Sequence, residues 1–163
     1  MTIRRFLHTT YPKLVAGVAV VAGSRPVAED AVQEALARAW ERSERGDEIR
    51  NLEAWVTTVA LNVARSGLRR LRSERAMRER LHQQEPNLAS ETRVDVVRAL
   101  SALPRRQREA TVLRYYLGHD VKEIARILGV REGTAKTTLH RARQALAERL
   151  GEDLSEEATD RGR

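Results

Sequence analysis

The sequence predicts an all-α chain: two small helical domains joined by a flexible linker, the second containing a helix-turn-helix. Three observations lead there. Apolar residues recur at helical spacing nearly throughout, and no stretch keeps the alternation that a half-buried strand needs. Only six of the 163 residues are aromatic, so the core must be Leu, Val, Ile and Ala, which suits small helical bundles. Around Arg80 to Ser90 the apolar pattern thins and Pro86-Asn87 interrupts it. The division that follows is 1–79, a linker at 80–92, a second domain at 93–150 and an acidic tail at 151–163, expected to be disordered.

The first helix is expected from Ile3 or Pro12 to Val21, ending at Gly23. It contains LVAGVAVVA, Leu14 to Ala22, behind Arg4-Arg5. Those nine apolar residues fall far short of the roughly 20 that span a bilayer, so the run reads as a buried helix and no membrane insertion is expected. Gly23-Ser24-Arg25-Pro26 breaks the chain, with Pro26 suited to a first helical turn. Val27 to Arg42 forms the second helix, with Val32, Ala35, Leu36, Ala39 and Trp40 as its apolar stripe. Asp30, Gln33, Glu34, Arg38 and Glu41 lie opposite. SERGDEIRN, Ser43 to Asn51, is a polar loop. The third helix begins near Leu52, with Leu52, Trp55, Val56, Val59, Val63 and Leu71 as its core side. Asn62, Arg65, Arg69 and Arg72 share another face, and Gly67 is expected to weaken or bend the helix.

In the second domain a short helix runs from near Val94 to Leu103, and Pro104 opens another from Arg105 to Tyr116. Gly118-His119-Asp120 turns the chain. Val121 to Leu128 is a short helix ended by Gly129, and Glu132 to Leu150 is the last long one. Short helix, glycine break and longer helix give helix-turn-helix geometry. Ala125 is small where the two helices must approach. In the last helix Ala135, Leu139, Ala142 and Leu146 face the core. Arg131, Thr134, Lys136, Thr137, His140, Arg141 and Gln144 are thereby left outward or at the amino-terminal end, the part that enters a major groove in this motif. Thr134 and the first backbone amides suit a phosphate, while Lys and Arg suit guanine edges.

Charge is consistent with this but decides little. The net charge is +7, and 27 of the 30 basic residues are Arg. Positive blocks at 1–80 and 92–150 flank a weakly negative spacer, and such blocks attract phosphate. The Arg excess fits bidentate recognition and equally a GC-rich genome. A second nucleic-acid face is Asn62, Arg65, Arg69 and Arg72 with Trp55 nearby, where basic groups could track a strand and an aromatic take an unstacked base. Trp55 also sits where it could simply pack.

Enzymatic chemistry finds little support. The chain has no cysteine, which removes disulfides, thiolate metal sites and a Cys nucleophile. The four histidines, His8, His82, His119 and His140, fall in no ligand spacing. Asp30 and Glu34 could share an ion in principle, but no His lies near them. No metal, no cofactor and no catalytic residue is expected.

Taken in order, AEDAVQEALARAW (Ala28 to Trp40), NLEAWVTTVALNVARSGLRRLR (Asn51 to Arg72) and LPRRQREATVLRYYLGHDVKEIARILGVREGTAKTTLHRARQAL resemble a bacterial RNA polymerase sigma factor of the extracytoplasmic-function group. The likeness spans about Phe6 to Leu150 apart from the linker. It implies that Asp30, Gln33 and Glu34 dock on the clamp of the largest polymerase subunit. It implies that Asn51, Leu52, Trp55, Asn62, Arg65 and Arg69 melt and read the minus-ten element, with one base flipped out. It gives Arg131, Thr134, Lys136, Thr137, His140 and Arg141 to the minus-thirty-five duplex. The implied partners are core polymerase, including its flap region, promoter DNA and an anti-sigma factor, the last being common in the family. The implied location is cytoplasmic, on the nucleoid within holoenzyme. The sequence departs from the family at Thr138, often Arg, at Gly67, and at Arg25-Pro26 in place of an acidic turn. The alternative reading is a stand-alone helix-turn-helix regulator that acts without polymerase.

Overall fold

A computed structural model describes residues 8–78 and 91–150, with side chains at 8–68 and 96–149. The chain divides into two compact units, Met1–Pro86 and Asn87–Arg163. The described residues form helices α1 (Tyr11–Ala22), α2 (Arg25–Glu44), α3 (Leu52–Arg78), α4 (Glu91–Ser101), α5 (Arg105–Thr111), α6 (Val121–Leu128) and α7 (Glu132–Leu150). No strand occurs among them. The expected linker lies largely outside the described residues, but Glu91 and Thr92, assigned to it from sequence, begin α4. The expected tail lies wholly outside them.

The boundaries of α1 and α2 follow local chemistry. Gly23 ends α1 at φ 68°, and its N–H donates to the Ala19 carbonyl. That left-handed conformation costs glycine little because it has no Cβ. Ser24 is then the N-cap of α2, accepting the Val27 N–H, with Pro26 in the first turn.

The core of the first unit is an alanine seam. α2 buries Ala28, Ala31, Val32, Ala35 and Ala39, and α3 buries Val56, Thr57, Ala60, Leu61 and Ala64. Small residues on both helices allow a close approach, and α1 adds Leu14, Val15 and Val18. Val32, Ala35, Ala39 and Val56 are buried as expected, but the buried faces extend to Ala28 and Ala31 on α2 and to Thr57, Ala60, Leu61 and Ala64 on α3 rather than to the rest of the expected sets. Trp40, placed in the apolar stripe from sequence, is 57% exposed, and Leu36 is half-buried. Leu52, Trp55, Val59 and Val63 are only half-buried. Helical spacing found part of each buried face, but close packing favoured neighbouring alanines over Trp40 and Trp55.

Gly67 does not interrupt α3, which runs unbroken through it. A Cβ there would meet only Val27 Cγ1, at 3.9 Å, an ordinary contact. Gly67→Ala is therefore expected to stabilise the first unit by roughly 0.5–1 kcal/mol, because alanine loses less backbone entropy in a helix. A lower midpoint in chemical denaturation would contradict this.

The second unit closes around α7. Leu113, Ile124, Ala125, Leu128, Ala135 and Leu139 are buried in its middle, while Ala99, Leu103, Ala142 and Leu146 form a cluster where α4 meets the carboxyl half of α7. After Thr111 the α5 helix widens into a π turn, Val112–Tyr116, with the Leu117 N–H reaching the Val112 carbonyl at 2.9 Å. Glu109 is fully buried, with Arg105 and Arg106 at 3.6 and 3.7 Å. Arg106 Nη1 also donates to the Leu128 carbonyl at 3.0 Å, tying α5 to the end of α6.

A reciprocal capping box starts α6. Asp120 Oδ1 accepts the Glu123 N–H at 2.8 Å, and Glu123 Oε2 accepts the Asp120 N–H at 3.2 Å. The backbone N–H of Glu123 holds the Asp120 carboxyl below its ordinary value. Because the folded-state value is depressed, this cap stabilises the fold above the ordinary aspartate range and is lost as pH falls through the folded value. Asp120→Asn should flatten the acid limb of the second unit's stability curve, measured by thermal melting from neutral pH downward. An acid limb identical to wild type would refute it.

Candidate nucleic-acid interface

The turn between α6 and α7 sets the orientation of the second helix. Gly129, at φ 65°, ends α6, with its N–H on the Arg126 carbonyl and the Val130 N–H on the Ala125 carbonyl at 2.9 Å. This two-bond closure satisfies carbonyls that would otherwise be unpaired and redirects the chain sharply. Ala125 and Ala135 are buried at the approach of the two helices.

With Ala135, Leu139, Ala142 and Leu146 buried, the opposite face of α7 is fixed. Lys136, Thr137, His140, Arg141 and Gln144 are all exposed, as are Arg131 and Thr134 at the helix start. Glu132 is the one acidic residue between Arg131 and Arg141. Thr137 donates its hydroxyl to the Gly133 carbonyl and Thr138 to that of Thr134, at 2.9 and 2.8 Å. Those bonds turn the hydroxyls back onto the helix's own carbonyls. The seven sequence-nominated residues are thus brought onto one exposed cationic surface. It can take phosphate at the helix N-terminus and base edges along the first turns.

In the first unit the nominated residues fall into two groups. Asn51 is the N-cap of α3, its Oδ1 accepting the Ala54 N–H at 3.0 Å. Leu52 and Trp55 follow in the first turn. Arg42 Cζ lies 5.8 Å from the Trp55 ring centroid, so one face of the indole carries a guanidinium. Farther along α3, Arg65 Nη1 donates to Asn62 Oδ1 at 2.8 Å on an exposed surface. Arg69 is on the same helix, its side chain outside the described residues.

Asp30, Gln33 and Glu34 are exposed on α2, with Glu34 paired to Arg38 at 2.8 Å. They are joined by a residue that sequence reasoning misplaced. Gln33, Ala37, Trp40 and Glu41 continue the exposed face at helical spacing, so Trp40 belongs to it. The signal was present as a tryptophan ten positions beyond Asp30, but apolar character assigned it to the core. No group of three or more His, Asp or Glu gathers as a metal site among the described residues, and no described helix is long and apolar enough to cross a membrane.

Comparison with known proteins gives both halves a family. The family models for sigma-70 region 2 and sigma-70 region 4 match residues 7–74 and 93–146, in that order. Together they mark the chain as a sigma factor, and its relatives show that it belongs to the extracytoplasmic-function group. It is 33% identical over 138 residues to the RNA polymerase sigma-E factor of Streptomyces coelicolor, covering 82% of this chain and 78% of that protein. It is 36% identical over 133 residues to the sigma factor SigL of Mycobacterium tuberculosis, covering 76% and 75%. EcfG of Rhodopseudomonas palustris matches over 161 residues at 30% identity, covering 96% and 89%. Among solved structures, the sigma factor RpoE of Bartonella quintana, crystallised with the anti-sigma factor NepR, superposes with a TM-score of 0.81. It is 29% identical, and the match covers 93% of this chain and 98% of that one.

As an alternative sigma factor the protein binds core RNA polymerase and directs promoter-specific initiation. It is an initiation factor, not a classical enzyme. A stand-alone helix-turn-helix regulator would need only the second unit, so the region 2 match decides against that reading.

Proposed function

We propose a division of labour among the three surfaces. The exposed face of α2, with Asp30, Gln33, Glu34 and Trp40, docks on the polymerase clamp. The start of α3 and its polar face, with Asn51, Leu52, Trp55, Asn62, Arg65 and Arg69, takes the opened minus-ten strand. The amino half of α7, with Arg131, Thr134, Lys136, Thr137, His140 and Arg141, reads the minus-thirty-five element as duplex, and the second unit also meets the flap. The observation that carries this reading is α7: four buried apolar residues fix a cationic face opposite them at the position a major groove accepts. Each head alone binds weakly, and joining both to one polymerase raises their effective concentration. Run-off transcription with core enzyme tests it, on templates altered separately at the two elements. Equal output from altered and intact templates would sink the reading.

The clamp assignment has its own test. A half-exposed tryptophan among polar residues resembles the aromatic anchors that dominate interfaces. Trp40→Ala should weaken binding to core polymerase about tenfold or more, since such anchors contribute roughly 2 kcal/mol. Its thermal stability should barely change, because little is buried. Unchanged competition for core would remove Trp40 from the docking face. An anti-sigma partner belongs to the same proposal, on the strength of the NepR complex of the similar RpoE. Purification of the tagged chain from its own cells, with core subunits as the positive control, would reveal it.

A further inference from the structure

The loop between α2 and α3, Arg45 to Asn51, is exposed except for half-buried Ile49 and has no core of its own. Something else must hold its shape. Its start is a two-bond helix closure: Gly46, at φ 80°, donates to the Ser43 carbonyl at 3.0 Å, and Asp47 donates to the Arg42 carbonyl at 3.0 Å. In such closures the two residues joined by the outer bond usually touch through apolar side chains. Here they are Arg42 and Asp47, an ion pair with Nε 3.4 Å from Oδ2. That approach is not aligned as a hydrogen bond, and Nε is buried without one. The same guanidinium rests over Trp55, in the first turn of α3. Arg42 therefore joins the end of α2, the first residues of the loop and the start of α3. Asn51, at the far end of the loop, is separately fixed as the cap of α3.

We propose that Arg42 is a positioning residue that presets the 45–51 loop against Trp55 and so sets the discrimination with which the loop selects the opened minus-ten strand. This rests on the proposed reading that the loop and the start of α3 meet that strand. The physical argument is preorganisation. An exposed loop that must be ordered on binding loses affinity and selectivity for every residue it fixes, and a preset loop does not. The backbone closure does not involve the Arg42 side chain, so removing the guanidinium frees the loop from Trp55 without unwinding α2.

The test uses full-length protein in holoenzyme with core polymerase. The probe is a single-stranded oligonucleotide carrying the non-template minus-ten sequence that wild-type holoenzyme selects from a randomised pool, beside single-base variants of it. Arg42→Met is expected to reduce the ratio of matched to mismatched affinity roughly three- to tenfold, the loss of one cation–π contact and one exposed pair. Affinity for core and the upstream duplex footprint should stay unchanged. Asp47→Asn should give part of the same loss, and Arg42→Lys should recover part of it. Discrimination equal to wild type in Arg42→Met overturns the proposal. So does a parallel fall in core affinity, which would mark Arg42 as a support of the whole unit. If wild-type holoenzyme selects no minus-ten strand at all, the underlying reading of the loop fails instead. Should Arg42→Met not fold, Asp47→Asn decides alone, by the same ratio.

Discussion

Ile124→Ala should unfold the second unit while leaving the first intact. Ile124 lies in the middle of α6, fully buried, and with Leu113 and Ala135 makes the centre of its unit. Truncation removes three carbons from a site that closes poorly, because α6 is held at its start by the capping box and at its end by Arg106 on the Leu128 carbonyl. Such changes cost about 2–5 kcal/mol. A unit this small has little stability to lose, since domains of this size bury a modest share of their surface. The expected result is loss of part of the helical signal in circular dichroism and loss of the upstream footprint. Binding to core polymerase through the docking face proposed on α2 should persist, weakened only by loss of the contact proposed for the second unit. Ile124→Val, expected to cost about 0.5–1.5 kcal/mol, is the graded control. Complete loss of helical signal in the alanine variant would show that the two units do not fold separately.

Reading the fold from sequence worked where a residue's effect is local. Gly23, Pro26, Asp120 and Gly129 act through their own backbone or a cap within three residues, and the ends of α2, α6 and α7 fell within two residues of expectation, whereas α4 begins three residues early and α5 passes into a π turn. The helix-turn-helix was legible because Ala135, Leu139, Ala142 and Leu146 all point inward at one strict spacing. Helix rotation in the first unit was legible only in part: Val32, Ala35, Ala39 and Val56 are buried as expected, while Trp40 is not. Spacing placed Trp40 on one stripe with Ala35 and Ala39, and which edge of that stripe is buried rests on how closely two distant segments pack. The role of Arg42 was hidden for the same reason: its partners, Asp47 and Trp55, are placed by a loop whose path depends on that packing. The nominated residues of the second unit came together because α7 and the residue just before it carry them all, whereas those of the first unit are spread over a loop and two helices.

Arg141→Ala should reduce affinity for the upstream element roughly 5- to 150-fold, the equivalent of about 1–3 kcal/mol for a lost base contact. Arg141 is exposed one turn after Thr137, and Lys136 and His140 form the neighbouring column. Of these, only Arg141 offers a planar fork that pairs with the O6 and N7 edge of guanine. The alternative role for an arginine here is a phosphate contact, and the two differ in signature. A base contact is lost selectively: the variant should tolerate replacement of one base pair that wild type rejects. A phosphate contact is lost uniformly, with the salt dependence of binding reduced by about one unit of slope. Arg141→Lys separates them further, since lysine retains charge for a phosphate but lacks the fork. If Arg141→Lys binds like wild type across all sequences, Arg141 holds the backbone, and base reading on α7 falls to Lys136 and His140. If Arg141→Lys behaves like Arg141→Ala and relaxes one position, the fork reads that base. The other outward residues of α7 then orient the helix for it.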